Sequence, residues 1–310
     1  MSTWGVVATI KAPTLDTLNF AAHHIELGAH RVYIYLDAPD PDAVAALKDH
    51  PKTRVTDCDR AYWKKRIGKP QVKHQVRQTL NATHEYNRRA EVDWLIHIDA
   101  DEFLWPQTSL TTHLGALPSD VLCARVPPIE AIAGDGTLFK GYIPGGPDRA
   151  PLVERIYPRY GRYVKGGFLS HVAGKLFVRT GLTGIELRIH NMFQNGEMNP
   201  QERWLRDVEL CHCHAKSWED WLATFRYRLE MGSYRQGLAA ATPHDLGGLT
   251  LHELFTLIEA EEGEAGLRQF YDEVCADTPD LRARLQRENL LRVRDLTLDA
   301  KRRKHFPQNP

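Results

Sequence analysis

The first hundred residues switch repeatedly between strand-like and helix-like spacing of apolar side chains. Trp4-Gly5-Val6-Val7-Ala8-Thr9-Ile10 is a nearly continuous apolar run of strand length. Leu15, Leu18, Ala22 and Ile25 then recur on one helical face, with Thr14 placed to cap that helix and Gly28 to end it. Arg31-Val32-Tyr33-Ile34-Tyr35-Leu36 reads as a second strand stopping at Asp37, Pro41 to His50 as a second helix, and Lys52 to Asp57 as a third strand. A long polar helix from Gln71 to Ala90 leads into Trp94-Leu95-Ile96-His97-Ile98, a short apolar run between polar flanks. Strands alternating with helices predict an α/β fold, a mostly parallel sheet flanked by helices with right-handed crossovers.

Beyond this, Pro127 to Pro151 is rich in proline and glycine and reads as an irregular loop able to cover a substrate. Gly167–Val178, Ile185–Phe193 and Val208–His214 read as further strands. The last hundred residues read as helical: Ser217 with Asp220 and Thr250 with Glu253 have capping-box spacing, and Thr278-Pro279 is a cap followed by a first-turn proline. These patterns divide the chain into an α/β domain over residues 1–215 and a helical region over 216–310 packed on it.

Composition narrows the function. The chain has 310 residues, 42% hydrophobic and 26% charged, and its 40 basic side chains balance 40 acidic ones, so net charge gives no support to nucleic-acid binding. Five scattered cysteines argue against a disulfide framework and for a reducing, cytoplasmic setting. Nowhere do eighteen apolar residues follow one another, so no spanning helix is expected. The basic run Lys301-Arg302-Arg303-Lys304 suggests peripheral attachment to the anionic inner face of a membrane, against the commoner reading as a solvated segment.

Candidate chemistry gathers at two places. In open parallel sheets ligands bind outside the carboxyl ends of the strands, which sets Asp37 and Asp99 on one rim. If the strand stays extended, Asp99 and Asp101 face one side and share a divalent cation; the ordinary alternative is a pair of acids solvating a strand end. Far along the chain, Cys211-His212-Cys213-His214-Ala215-Lys216-Ser217 sets both imidazoles on one face of a strand, and either His212 or His214 would complete a metal site suited to Mn²⁺ or Mg²⁺. Lys216 before a helix start can hold a phosphate. The run Lys64-Lys65-Arg66, Lys69 and Lys73 is a further candidate for diphosphate or acceptor binding. Trp218, Trp221 and Phe225 have the helical spacing of core residues.

Ile98-Asp99-Ala100-Asp101-Glu102-Phe103-Leu104 after Asp93-Trp94-Leu95-Ile96-His97 resembles the W-hydrophobic-D-x-D-E-F signature of bacterial family 2-like glycosyltransferases of the GT-A fold. His212-Cys213-His214-Ala215-Lys216-Ser217 is similar to the same group's H-Y-x-x-K-S element, with Cys213 at the usual tyrosine. Phe20 to Asp37, with His24, Gly28 and Val32-Tyr33-Ile34-Tyr35, resembles its histidine-containing helix and following strand. The resemblance implies a Rossmann-like GT-A sheet with a C-terminal helical extension. It also implies an enzyme moving a sugar from a nucleotide-sugar donor, UDP-linked, to a glycan or other hydroxyl acceptor, with inversion.

On that resemblance Thr9, Lys11 and Asp37 lie against the base and ribose, Asp99, Asp101 and His212 hold Mn²⁺ or Mg²⁺ on the diphosphate, and Lys216 neutralises phosphate. Where the family often has Asn-Glu after the first strand, this chain has Ala12-Pro13. Inversion needs a carboxylate as base, for which Glu130 and Asp135 are the candidates. Two alternatives stand beside this: a haloacid-dehalogenase-like phosphatase, disfavoured by Phe103 two residues after Asp101, and a non-catalytic nucleotide- or sugar-binding module.

Overall fold

The computed structural model describes residues 2–68, 73–88 and 91–308, which divide into two compact units. The first comprises Met1–Pro127, Ala173–Leu210 and Leu296–Pro310, and the second Pro128–Val172 and Cys211–Asp295. The division therefore does not follow the expected boundary after residue 215. Both units are assembled from segments distant in sequence, which local hydrophobic spacing does not report.

In the first unit the expected alternation appears as β1 (Trp4–Ile10), α1 (Thr14–Glu26), β2 (Arg31–Leu36), α2 (Pro41–Lys48), β3 (Thr53–Asp57), α3 (Arg60–Ile67), α4 (His74–Asn87) and β4 (Trp94–His97). The expected ends of the long polar helix, Gln71, Val72, Arg89 and Ala90, lie outside the described residues, as does Lys69. There follow β5 (Glu102–Pro106), α5 (Leu110–Gly115) and β6 (Cys123–Val126).

A seven-stranded sheet has β1 near its middle, paired in parallel with both β2 and β4, and all seven residues of β1 are buried, as its unbroken apolar run requires. Gly5 is needed there because a Cβ would stand 2.9 Å from the Arg31 carbonyl oxygen. Helix α1 starts from Pro13 and not Thr14, whose hydroxyl bonds the Asp40 carboxylate. It ends in a Schellman arrangement: Gly28, at φ 95°, donates to Ile25 O and Ala29 to His24 O.

The segment expected to be an irregular loop opens the second unit with β7 (Pro128–Ala131), β8 (Leu138–Lys140) and α6 (Arg149–Ile156). The chain then returns to the first unit with β9 (Lys175–Arg179), which lies between β4 and β6 and is antiparallel to both. Next come the small sheet of β10 (Ile185–Leu187), β11 (Met192–Gln194) and β12 (Glu197–Met198), then β13 (Glu202–Trp204), parallel to β6. The result is a mixed α/β architecture with a central, mostly parallel sheet flanked by helices. β14 (Val208–His212) carries the chain back to the second unit.

There α7 (Trp218–Glu230), α8 (Leu251–Val274), α9 (Pro279–Arg287) and β15 (Leu291–Val293) follow, β15 pairing antiparallel with β8. Thr250 and Glu253 form the expected capping box, and Thr278 caps α9 ahead of Pro279. Trp221, Phe225, Phe255 and Phe270 build an aromatic core, all at most 2% exposed. No described helix is long and apolar enough to cross a membrane, and all five cysteines are free.

Helix α10 (Leu298–His305) belongs to the first unit and packs on α1. Arg302 donates to Asn19 and Asp299, Lys304 pairs with Glu26, and Lys301 donates to Leu296 O and lies 3.2 Å from His23 Nδ1. The basic run expected to meet a membrane is thus largely engaged within the protein.

Beneath it, His23 and His24 are fully buried. His23 donates from Nε2 to Leu104 O while Lys301 faces its Nδ1, and His24 Nδ1 donates to Phe20 O. Burial lowers the proton affinity of both, His24 to about 3. Each takes up its proton only after the chain opens, so its contribution is complete above the free imidazole value near 6.5 and is lost as pH falls below it. Denaturant titrations should give a stability slope that steepens below about pH 6.5 and that His24→Gln reduces by about 1.4 kcal/mol per pH unit near pH 5. An unchanged slope would contradict a buried neutral His24.

Candidate functional site

The parallel pairing of β1 with β2 and β4 brings the carboxyl ends of these strands to one rim of the first unit. A cleft of about 400 Å³ opens there, lined by Lys11, Ala12, Pro13 and Thr14 after β1 and by Ala38, Pro39, Asp40 and Pro41 after β2. Lys11 is exposed in it. Thr9 and Asp37 point elsewhere, toward α4: Thr9 Oγ1 accepts from Asn81 Nδ2 at 3.0 Å, and Asp37 receives Arg77 at 2.5 Å and His74 at 3.2 Å. Asp37 has only 2% of its side chain exposed, so its charge is met by α4. Lys73, at the N-cap of α4, is exposed.

Asp99 and Asp101 do not lie on an extended strand. β4 ends at His97, and Glu102 N–H donates to Asp99 O at 3.1 Å, so Asp99 to Glu102 is a turn. The Asp99 N–H in return donates to Glu102 Oε2 at 2.8 Å. The two carboxylates therefore have different environments. Asp99 receives Lys175 Nζ at 2.7 Å on one oxygen and Gln78 Nε2 on the other.

Lys175 is fully buried and also reaches Glu102 at 3.3 Å. Burial would raise the Asp99 carboxyl, but the Lys175 ammonium and His97 outweigh it and hold it well below the carboxylate range. Burial likewise opposes the Lys175 charge, and Asp99 with Glu102 restore it. Asp99, Asp101 and Glu102 with Lys175 make three carboxylates against one ammonium, a formal charge of −2 that one divalent cation would balance.

In the second unit Glu130 is neither a loop residue nor an open base. It lies in β7, 2% exposed, pairs with the buried Lys140 at 2.5 Å, and accepts the N–H groups of Leu169 (3.0 Å) and Ser170 (2.7 Å). Burial raises its carboxyl, Lys140 overrides that, and the net shift is downward. The group is a structural anchor for the segment leading to His171. Asp135 is exposed and accepts from Thr137 N–H and Oγ1, closing a local turn.

His171, His212 and His214 form a chain of imidazoles with ring centroids 5.1 and 5.3 Å apart. Lys216 is exposed just before Ser217, whose side chain caps α7 by accepting from Asp220 N–H. The residues that sequence spacing passes over are Gln78, Lys175 and His171. Lys175 carried a signal, a lone charge opening the apolar strand Lys175-Leu176-Phe177-Val178, whereas His171 is isolated in sequence.

No protein-family model matches the chain, and no curated protein does. Among solved structures, the glycosyltransferase GlyE of Streptococcus pneumoniae TIGR4 is 12% identical over 58% of this chain and 34% of its own length, with a TM-score of 0.29. A mycobacterial protein is 11% identical over 84% of this chain and 89% of its own, with a TM-score of 0.36. Glucosyl-3-phosphoglycerate synthase from Mycobacterium tuberculosis, in complex with Mn²⁺, UDP-glucose and phosphoglyceric acid, is 10% identical over 82% and 91%, with a TM-score of 0.37. Likeness at this level carries no chemistry across.

Removing one partner of a buried ion pair strands the other. Glu130→Ala should therefore cost about 3–5 kcal/mol in denaturant unfolding. The double variant Glu130→Leu/Lys140→Met should recover much of that loss. A cost below about 1 kcal/mol for Glu130→Ala would place the pair in the surface class.

Proposed function

We propose that the protein is a metal-dependent glycosyltransferase acting on a nucleotide-sugar donor, UDP-linked, and a glycan or other hydroxyl acceptor. The observation that carries this reading is the acidic turn Asp99–Glu102 at the carboxyl end of β4, on the same rim as the cleft after β1 and β2. Together with Lys175 it has a formal charge of −2, which suits Mn²⁺ or Mg²⁺.

Because Asp99 is already bound by Lys175 and Gln78, Asp101 is the carboxylate assigned to the metal, and Asp99 shapes the turn that presents it. The sequence resemblance adds His212 as a further ligand and Lys216 as a cation for the diphosphate. Such a metal would neutralise the negative charge of the leaving diphosphate as the bond between the anomeric carbon and the phosphate oxygen breaks. Lys11, exposed in the cleft, is suited to the donor's phosphate or ribose. Glu130 drops out as the base, its carboxylate being committed to Lys140 and two N–H groups. Asp135 stays an exposed candidate for an inverting reaction.

UDP with Mn²⁺ should stabilise the protein by about 2.7 kcal/mol at a hundredfold excess over Kd, read as a rise in melting temperature. Asp101→Asn should abolish the metal-dependent part of that rise. A panel of nucleotide sugars scored for nucleoside diphosphate release identifies the donor. Absence of any metal-dependent shift with every nucleotide would sink the assignment.

A further inference from the structure

His214 leaves β14 two residues beyond His212, and its Nε2 lies 3.0 Å from the Tyr234 hydroxyl oxygen. Tyr234 is fully buried, and the same oxygen lies 3.1 Å from Trp221 Nε1 and 3.3 Å from Arg228 Nη1. An indole N–H and a guanidinium can only donate hydrogen bonds. The phenol has one hydrogen to place, and of these three neighbours only an imidazole nitrogen can accept it. The directions follow: Trp221 and Arg228 donate to Tyr234, and Tyr234 donates to His214 Nε2. A neutral imidazole that accepts at Nε2 carries its hydrogen on Nδ1.

We propose that Tyr234 is a positioning residue that holds His214 as the Nδ1–H tautomer and thereby keeps it from acting as a metal ligand. A metal on Nδ1 would move the hydrogen to Nε2. That would put three donors against one phenolic oxygen and leave the Tyr234 hydrogen without an acceptor among these neighbours. A metal on Nε2 would displace Tyr234 itself. Arg228 Nη2 also donates to the His214 carbonyl at 2.8 Å, so α7 fixes the backbone of this residue directly and its ring through Tyr234. The His212 ring, edge-on to His214 at 5.3 Å, is not touched by this constraint and keeps the ligand role. The consequence for metal binding rests on the transferase reading, whereas the tautomer stands on hydrogen bonds inside the second unit.

The test is long-range ¹⁵N–¹H NMR on the full, metal-free chain labelled at histidine, with His214→Gln assigning the His214 signals. The wild type should show the Nδ1-protonated pattern, and Tyr234→Phe should shift it toward the Nε2-protonated form. An Nε2-protonated His214 in the wild type overturns the proposal, and that spectrum decides alone should Tyr234→Phe fail to fold. An unchanged pattern in folded Tyr234→Phe overturns the role of Tyr234.

Calorimetric titration with Mn²⁺ separates the two imidazoles: His212→Ala should weaken binding by about tenfold or more, and His214→Gln should leave it unchanged. Equal losses would make His214 a ligand and overturn the proposal. A wild type that binds no Mn²⁺ overturns the transferase reading and the metal half of the proposal that depends on it, with the NMR result still deciding the tautomer.

Discussion

A single ammonium group, that of Lys175, organises the acidic turn of the first unit. It sits in the sheet with no exposure to water and meets Asp99 at 2.7 Å and Glu102 at 3.3 Å. Placing a charge there costs several kcal/mol in desolvation unless partners compensate. Two carboxylates around one cation also solve the opposite problem, since neighbouring acids repel and one would otherwise take up a proton. Lys175 keeps Asp99 ionised, and with Gln78 it holds the turn in one shape while Asp101 is left to a different environment. The motif therefore behaves as two unlike carboxylates, of which Asp99 is committed to Lys175 and Gln78.

The second unit uses the same device for a different end. Glu130 and Lys140 neutralise one another in the core, and the remaining carboxylate capacity binds the N–H groups of Leu169 and Ser170, immediately before His171. A carboxylate that looks like a catalytic candidate by its residue type serves here to fix a loop. Of the imidazoles beyond it, His214 is held in turn by Tyr234, whose hydroxyl oxygen receives Trp221 and Arg228 of α7.

Most strands and helices of the first hundred residues, and the helix starts of the last hundred, were legible because each has a local cause. β1 and β4 are unbroken apolar runs, Gly28 needs a positive φ, and Thr250, Ser217 and Thr278 cap helices through their own side chains. Long-range partners have no such local trace. Spacing put Asp99 and Asp101 on one extended face, whereas the hydrogen bond from Glu102 to Asp99 folds them into a turn. The glycine- and proline-rich stretch after Val126 has irregular local spacing, yet β7, β8 and α6 form there because residues up to 155 positions away, such as Val293 against Leu138, complete the pairing. Thr9 and Asp37 were read as facing a nucleotide, and α4 claims both.

The distribution of the first unit over three chain segments has a consequence for synthesis. Its sheet lacks the strand between β4 and β6 until residues 175–179 exist, and the face of α1 that carries His23 has no cover until residues 298–305 have been made. On a ribosome adding about 5–20 residues per second, β1 to β4 would wait many seconds with those surfaces open to water. Such a topology favours late, collective collapse over stepwise completion.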